Sequence, residues 1–134
     1  MNIVIREYQE NDLDSVNIIL LEAFNIKKEN FNYENNKEVV ATIGNHVVGY
    51  LLLTKVYNPI KKISYFIIDN VCVLSSKRGL GVGKKMLDYV DNIAKENNIS
   101  YITLTSNYQR IAAHKLYEKC GYIKKETNIF KKEI

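Results

Sequence analysis

The most chemically informative stretch of the sequence is a run of three alternating glycines between basic side chains. Gly79, Gly81 and Gly83 follow Lys77-Arg78 and precede Lys84-Lys85. Glycine permits positive φ angles and a close approach of the backbone to a ligand. The first N–H groups of a helix have no partner within the helix, and the helix dipole places partial positive charge there. A helix that starts within this run therefore predicts a phosphate-binding turn.

Two common phosphate-binding motifs do not fit this turn. A Walker A loop ending in Gly83-Lys84 requires a glycine five residues before Gly83 and a hydroxyl side chain after Lys84. Those positions are Arg78 and Lys85. A dinucleotide fingerprint requires a glycine at position 84 or 86, and these positions are Lys84 and Met86. The ligand is therefore expected to belong to a different phosphate-containing class.

The surrounding hydrophobic pattern predicts the elements that position this turn. Alternating or β-branched apolar stretches predict strands at residues 2–7, 38–43, 46–57, 63–74, 100–105, 122–125 and 128–132. Apolar residues at helical spacing predict helices over residues 12–24, 82–96 and 108–120. Gly44-Asn45 predicts a two-residue hairpin turn, and residues 25–37 predict a loop or a short additional helix. This order is typical of a mixed α/β domain in which the strand at 63–74 leads into the glycine turn.

Length and composition are those of one globular domain, placed at residues 1–134. The chain has 134 residues, of which 46% are hydrophobic and 25% charged. These values exclude collagen-like, coiled-coil and wholly disordered proteins. No apolar run reaches the length of a membrane span, and the first residues do not resemble a secretion signal. We therefore expect a cytoplasmic protein with no membrane partner.

Positive charge is concentrated in the second half of the chain. Residues 68–134 hold 12 basic and 7 acidic side chains, whereas residues 1–67 hold 7 and 8. Such an excess attracts either nucleic acid or a phosphate-rich small ligand. No helix-turn-helix pattern or aromatic strand face accompanies the charge, so we expect no nucleic-acid partner.

The cysteines and histidines do not have the spacing of metal ligands. Cys72 and Cys120 form no CxxC pair, and His46 and His114 have no second ligand nearby in the sequence. The pattern predicts two reduced thiols and no metal site.

Two motifs resemble the GNAT superfamily of N-acetyltransferases. The first is Arg78-Gly79-Leu80-Gly81-Val82-Gly83, which is similar to the superfamily's pyrophosphate-binding pattern Arg/Gln-x-x-Gly-x-Gly/Ala. The second is Arg110-x-x-Ala113-His114-x-Leu116-Tyr117-x-x-x-Gly121-Tyr122, which is similar to its closing helix and strand. The resemblance covers nearly the whole chain. It implies an α/β, GNAT-like fold with a mixed, mostly antiparallel sheet of six to seven strands, a splay between the fourth and fifth strands, and about four flanking helices.

The resemblance implies direct transfer of an acetyl group from acetyl-CoA to a primary amine of a small molecule or a peptide. Acetyl-CoA is then the cosubstrate, no metal takes part, and the protein is a monomer or a homodimer. The backbone N–H near Val71 would polarise the thioester carbonyl. The residues expected to bind the cofactor are Val71, Cys72, Val73, Arg78, Gly79, Leu80, Gly81, Val82, Gly83, Lys84, Arg110, Ala113 and Tyr117.

The same resemblance implies two catalytic residues. Tyr117 stands at the position of the general acid, and a phenol with a pKa of about 10 is still protonated at neutral pH. Asp69 stands where many members carry a glutamate, and it would either accept the ammonium proton through water or only bind the cation. Cys72 is not expected to be a nucleophile, because the family transfers the acyl group directly. Arg110 departs from the asparagine that many members have at this position, and Tyr122 replaces a more common phenylalanine.

A catalytically inactive CoA-binding regulatory module on the same fold is the alternative function. The acceptor walls are expected to come from the first helix, residues 25–37, the start of the strand at residue 63 and the last predicted hairpin. A small amine, an amino acid, a peptide N-terminus, a lysine side chain or an aminoglycoside would all fit this outline.

Overall fold

A computed structural model describes residues 1–134 as one twisted sheet with helices on both faces. The strands are β1 (Ile3–Glu7), β2 (Asn36–Ile43), β3 (His46–Asn58), β4 (Ile63–Val73) and β5 (Ile102–Leu104), and they lie side by side in that order. The helices are α1 (Leu13–Phe24), α2 (Val82–Glu96) and α3 (Ile111–Lys119), with short 3₁₀ turns at Glu10–Asp12 and Ser75–Lys77. Strands β1 to β4 are antiparallel, and β5 runs parallel to β4.

The two faces of the sheet bury different helices. On one face, called the α1 face, Val16, Ile19 and Leu20 of α1 pack against Tyr50 and Cys72 of the sheet. On the other, called the α2 face, the buried side of α2 packs together with Tyr117 of α3 against β2, β3 and β4. The residues of α2 that recur at helical spacing form this core: Val82, Met86, Leu87, Val90 and Ala94. None of the helices is long and apolar enough to cross a lipid bilayer.

The sheet has fewer strands, and the fold fewer helices, than predicted. Five strands and three helices replace the expected six to seven strands and about four helices. The predicted strands at 122–125 and 128–132 do not form, and Ile123, Ile129 and Phe130 are exposed. These exposed side chains bury too little apolar surface to offset the conformational entropy lost when a strand is ordered.

Residues 25–35 contain no helix. Asn25 ends α1 in the left-handed conformation, with a φ of 55°. The side chain of Asn17 on α1 then bonds both backbone groups of Lys28, accepting from its N–H at 2.8 Å and donating to its carbonyl at 3.1 Å. Side-chain hydrogen bonds of this kind replace those of a helix.

The predicted hairpin is present, and the pairing between β4 and β5 is short. Gly44 and Asn45 have φ angles of 54° and 67°, as a two-residue turn between β2 and β3 requires. The pairing between β4 and β5 covers only Phe66 to Ile68 on β4, although β4 continues to Val73. Strand β5 ends at Leu104, opposite Ile68, and leaves this edge of β4 without a pairing to β5. We call the space beside this edge the opening, and the splay between the two strands stays a prediction.

A partly buried ion pair connects β1 to the start of α1. The Arg6 guanidinium donates to both carboxylate oxygens of Asp12 at 2.8 and 3.0 Å, and the N–H of Gln9 also donates to Asp12 at 2.8 Å. The Arg6 hydrogen bonds are the main reason that the pKa of Asp12 is lowered. A carboxylate with a depressed pKa stabilises the fold above its unfolded-state pKa, and this contribution is lost as the pH falls through the folded-state value.

Asp12→Asn is therefore expected to destabilise the protein at neutral pH but not in acid. Charged hydrogen bonds of this kind contribute about 1.5–3 kcal/mol, so we expect a loss of that size in the free energy of unfolding at neutral pH. Urea denaturation at a series of pH values measures it. The difference from wild type should shrink below about pH 4. A difference that stays constant down to acid pH would show that packing, and not the carboxylate charge, matters at this position.

Candidate active site

The turn between β4 and α2 presents a series of free backbone donors. The N–H groups of six consecutive residues, Gly79 to Lys84, make no hydrogen bond within the chain, and the first helical bond runs from the N–H of Lys85 to the carbonyl of Gly81. Three of these groups belong to the first turn of α2, where the helix dipole adds positive potential. Such a series binds an anionic ligand of phosphate type.

The glycines of this turn have two different roles. Gly79 and Gly81 have φ angles of 78° and 88°, and a Cβ built on either would have no atom within 4 Å. The backbone therefore needs glycine at both positions, and the space in front of it is open. Gly83 lies inside α2, where a Cβ would come within 2.8 Å of Leu116 Cδ2. It lets α3 pack closely on α2, which differs from the expectation that all three glycines face the ligand.

Charged side chains surround the turn. Arg78 folds back so that its Nε donates to the carbonyl of Val73 at 3.4 Å. Lys84 pairs with Asp88 one helical turn along at 2.8 Å. On the α1 side, Glu22 accepts hydrogen bonds from the N–H and the hydroxyl of Ser75 at 2.6 and 2.9 Å and fixes the entry to the turn. Glu22 is thus committed to positioning the turn.

A β-bulge in β4 reorients the strand where it leaves β5. Tyr50 on β3 pairs with Cys72 on β4, and Leu52 pairs with Asp69. The step from Tyr50 to Leu52 covers two residues of β3, whereas the step from Cys72 to Asp69 covers three residues of β4. Asn70, inside the bulge, has a φ of 58°. The extra residue inverts the alternation of the strand, so that Ile68 and Val71 both contact the α2 face.

The bulge leaves the predicted backbone donors at the open edge. The N–H of Leu74 bonds the carbonyl of Val48 on β3. Because alternate residues of a strand face opposite neighbours, the backbone groups of Val73 and Val71 point toward the opening and those of Cys72 toward β3. The structure thus brings Val71 and Val73, but not Cys72, to the edge that faces the opening.

Tyr117, on α3, belongs to the core of the α2 face. Only 7% of the residue is exposed. The centres of the Tyr117 and Tyr122 rings are 6.2 Å apart, and the rings pack edge to face. Burial raises the pKa of the Tyr117 phenol, and the charge of Arg110 acts in the opposite direction. Since the raised pKa keeps the hydroxyl protonated at neutral pH, Tyr117 is able to donate a proton.

Asp69 lies on the opposite face of the sheet. It pairs across strands with Leu52, whose side chain packs on the α1 side, and cross-strand partners share a face. Its carboxylate is exposed. Tyr117 and Asp69 therefore lie on opposite faces of the sheet, the phenol on the α2 face and the carboxylate on the α1 face.

The side chain of Cys72 is directed away from this opening. Its Sγ lies 3.8 Å from the carbonyl oxygen of Tyr50, within the core under α1. Burial raises the pKa of the Cys72 thiol to about 12. A neutral, buried thiol is a poor nucleophile, which agrees with the expectation of direct transfer.

The remaining predicted residues lie at the start of α3. Arg110 precedes the helix and is exposed, and its charge opposes the burial-induced rise in the pKa values of both Tyr117 and Cys72. Ala113 is half-buried and packs on the core of the α2 face. Arg110 is thus close enough to influence Tyr117 and Cys72 through its charge, whereas Ala113 is part of the packing on the α2 face.

Sequence reasoning missed two features near the site. The hydroxyl of Ser106, just after β5, is buried and has no hydrogen-bond partner. On the α1 face, Lys28 and Glu38 form an ion pair of 3.0 Å in which both side chains are about nine-tenths buried. Neither feature has a sequence motif, because each depends on the burial of a polar group by distant segments.

One cavity of the surface lies away from these residues. A cavity of about 680 Å³ between α1 and the β2–β3 turn is lined by residues such as Ile18, His46 and Lys77. It includes neither the free amides nor Asp69 and Tyr117. Its volume alone does not make it a better site than the free amides of the glycine turn and the adjoining unpaired edge of β4.

Comparisons with known proteins agree with this geometry. The family model described as "Acetyltransferase (GNAT) family" matches residues 2–122. An uncharacterised N-acetyltransferase of Methanocaldococcus jannaschii is 31% identical over 129 residues, which cover 89% of this chain and 77% of the relative.

Solved structures share the fold. A putative acetyltransferase from Agrobacterium tumefaciens superposes with a TM-score of 0.83 at 22% identity, covering 97% of this chain and 99% of that one. A protein described as a transcriptional regulator, from Bacillus halodurans, superposes with a TM-score of 0.84 at 26% identity, covering 99% of this chain and 100% of that one.

Proposed function

This chain belongs to the acetyltransferase (GNAT) family, and on that premise we propose that it transfers the acetyl group of acetyl-CoA to a primary amine. The observation that carries the proposal is the continuity of the site. Six free amides at Gly79 to Lys84 lead into the unpaired edge of β4, where the backbone groups of Val71 and Val73 face the opening. A pyrophosphate followed by an amide-containing arm and a thioester requires donors in this order.

The turn and the strand edge fit the cosubstrate. The space in front of Gly79 and Gly81 is open, and the amides beside it have no partner in the chain. In this proposal the amides of Gly79 to Lys84 bind the pyrophosphate, with Arg78 beside them. Bound acetyl-CoA supplies an activated acyl group and a thiolate leaving group.

The chain's own residues would manage the protons. The N–H of Val71 is the candidate donor to the carbonyl oxygen on which negative charge develops. Tyr117 would donate its proton to the departing sulfur from the α2 face. Asp69 would accept a proton from the ammonium group of the acceptor, directly or through water, from the α1 face. The amine would then attack the carbonyl carbon, so that one C–N bond forms as the C–S bond breaks.

Asp69→Asn tests the proton acceptor through its pH dependence. If the carboxylate removes a proton, kcat/KM should fall by about 10²-fold or more well below the pKa of the amine. The difference in kcat/KM between Asp69→Asn and wild type should shrink as the pH rises, because more of the amine is then deprotonated without the carboxylate. Steady-state rates between about pH 6 and pH 9 measure this, with Asp14→Asn on the exposed face of α1 as the control. Parallel profiles for Asp69→Asn and wild type would remove Asp69 from the mechanism.

A catalytically inactive CoA-binding regulator is the second candidate. This candidate is supported by the similarity, at 26% identity, to the Bacillus halodurans structure described as a transcriptional regulator. A regulator of this kind would bind CoA without consuming acetyl-CoA. The Tyr117 phenol on the α2 face and the Asp69 carboxylate on the α1 face, which a module that only binds CoA does not need, support the enzyme.

Cosubstrate binding is tested by thermal shift with CoA, ATP and NAD in parallel. A ligand that binds only the native state at 100 times its Kd stabilises the fold by about 2.7 kcal/mol. We expect a clear rise in Tm with millimolar CoA and a smaller one with ATP or NAD. A rise with ATP or NAD but none with CoA would contradict the proposed cosubstrate.

A further inference from the structure

A lysine ammonium group is held between a carboxylate and two aromatic rings on the α1 face. The Nζ of Lys28 lies 3.0 Å from Oε1 of Glu38, 4.1 Å from the centre of the Tyr8 ring and 4.9 Å from the centre of the Phe31 ring. The hydroxyl of Tyr50 donates to the same oxygen of Glu38 at 2.7 Å. A carboxylate combined with aromatic faces is the chemistry that recognises an alkylammonium ion. We call Tyr8, Phe31, Glu38 and Tyr50 the ammonium seat.

The seat lies in one row with Asp69. Glu38 on β2 pairs with Leu52 on β3, and Leu52 pairs with Asp69 on β4. Cross-strand partners share a face, so two carboxylates border the apolar side chain of Leu52. The Cα atoms of Glu38 and Asp69 are separated by two strand spacings, about 10 Å. This arrangement matches a molecule that carries two ammonium groups on an alkyl chain.

The ammonium group of Lys28 is not fully satisfied in the ammonium seat. Its Nζ is fully buried but makes no hydrogen bond of acceptable geometry, although it is paired by charge with Glu38. An ammonium group has three donors, and each one left unsatisfied in a buried site is unfavourable. The backbone of Lys28 is held by the side chain of Asn17, which restricts how its ammonium group can approach Glu38. An external ammonium has no such tether and can orient its donors on the Glu38 carboxylate, so it can compete with Lys28.

From these contacts we infer that the ammonium seat is a subsite for the acceptor, which Lys28 fills when no acceptor is present. The acceptor is then a diamine: one amino group reacts beside Asp69, and the second displaces Lys28 from Glu38. This inference rests on the proposed acetyl transfer. It specifies the class of acceptor, which the family does not specify.

Matched amines of different length test the subsite. Hexamethylenediamine can span the row from Asp69 to Glu38, whereas ethylenediamine is too short and hexylamine lacks the second charge. We expect wild type to have a lower KM for hexamethylenediamine than for either of the other two. Lys28→Met removes the competing cation, so the KM for hexamethylenediamine should fall further, by about tenfold, while that for hexylamine changes little.

A second variant separates the subsite from a purely structural ion pair. Lys28→Met leaves the buried Glu38 carboxylate with the Tyr50 hydroxyl but without a charged partner, which can destabilise the fold. The double variant Lys28→Met/Glu38→Gln removes both charges and should fold, but it should lose the preference for the diamine. If the KM values for hexamethylenediamine and hexylamine are equal in wild type, in Lys28→Met and in the double variant, the ion pair only anchors segment 25–35 and the inference is wrong.

A binding measurement without acetyl-CoA distinguishes this inference from the proposed function. Hexamethylenediamine should raise the Tm of Lys28→Met more than hexylamine does, whether or not acetyl transfer occurs. A diamine-specific shift without turnover of any amine would retain the subsite and contradict the enzyme. Turnover of amines without a diamine-specific shift would retain the enzyme and contradict the subsite.

Discussion

Tyr117→Phe is expected to lower kcat by about 10²- to 10⁴-fold, the usual contribution of a general acid. The substitution keeps the ring, which is buried on the α2 face next to Tyr122, and removes only the hydroxyl. Folding and CoA affinity should therefore change little. Because the lost interaction would exist only as the thiolate departs, the deficit should be confined to kcat and kcat/KM.

Tyr122→Phe is the matched control for this experiment. Its hydroxyl is buried and has no hydrogen-bond partner, and its ring contacts that of Tyr117. Removing it deletes the same atom from a neighbouring ring without touching the proposed acid. We expect a near wild-type kcat for Tyr122→Phe. Equal kcat values for Tyr117→Phe and wild type would show that Tyr117 is only a packed aromatic residue.

Gly81→Val is expected to raise the Kd for CoA by about 10²-fold or more. Gly81 has a φ of 88° at the start of α2, a conformation that a β-branched residue strongly disfavours. The backbone must move to accept valine, and the amides around it then no longer converge. Hydrogen bonds to a charged group contribute about 1.5–3 kcal/mol each. The loss of two of them corresponds to about 10²-fold or more in Kd.

Gly44→Val controls for backbone strain alone. Gly44 also has a positive φ, 54°, and open space where a Cβ would lie, but it belongs to the β2–β3 turn. A positive φ costs a side-chain-bearing residue about 1–3 kcal/mol, so both variants should lose some stability. Titration calorimetry with CoA should show weakened binding for Gly81→Val only. Equal loss of affinity in both variants would mean that strain, and not the position of the amides, explains the effect.

The part of the site that depends on local sequence was predictable. A glycine has no substitute where φ is about 80–90° next to a ligand, so Gly79 and Gly81 are visible in the sequence. The Gly44-Asn45 hairpin follows from the same principle. Helix α2 was equally clear, because its apolar residues recur at helical spacing over fifteen residues.

The features that depend on tertiary contacts were not predictable. The bulge at Asn70 follows from the register between β3 and β4, and no residue type requires it. Residues 123–134 have an alternating pattern but no surface to pack against, so the pattern alone predicted strands that do not form. The contact between Lys28 and Glu38 depends on how Asn17 holds the segment after α1. In the sequence these residues are an ordinary lysine and glutamate.

The most direct test of the central claim is to follow the acetyl group itself. Isotopically labelled acetyl-CoA would be incubated with the protein and a mixture of amines, amino acids, peptides and aminoglycosides, and the products identified by mass spectrometry. We expect a labelled N-acetyl product that forms in proportion to the CoA released and far more slowly with Tyr117→Phe. CoA binding without any labelled amine, or release of CoA with labelled acetate as the only product, would contradict it.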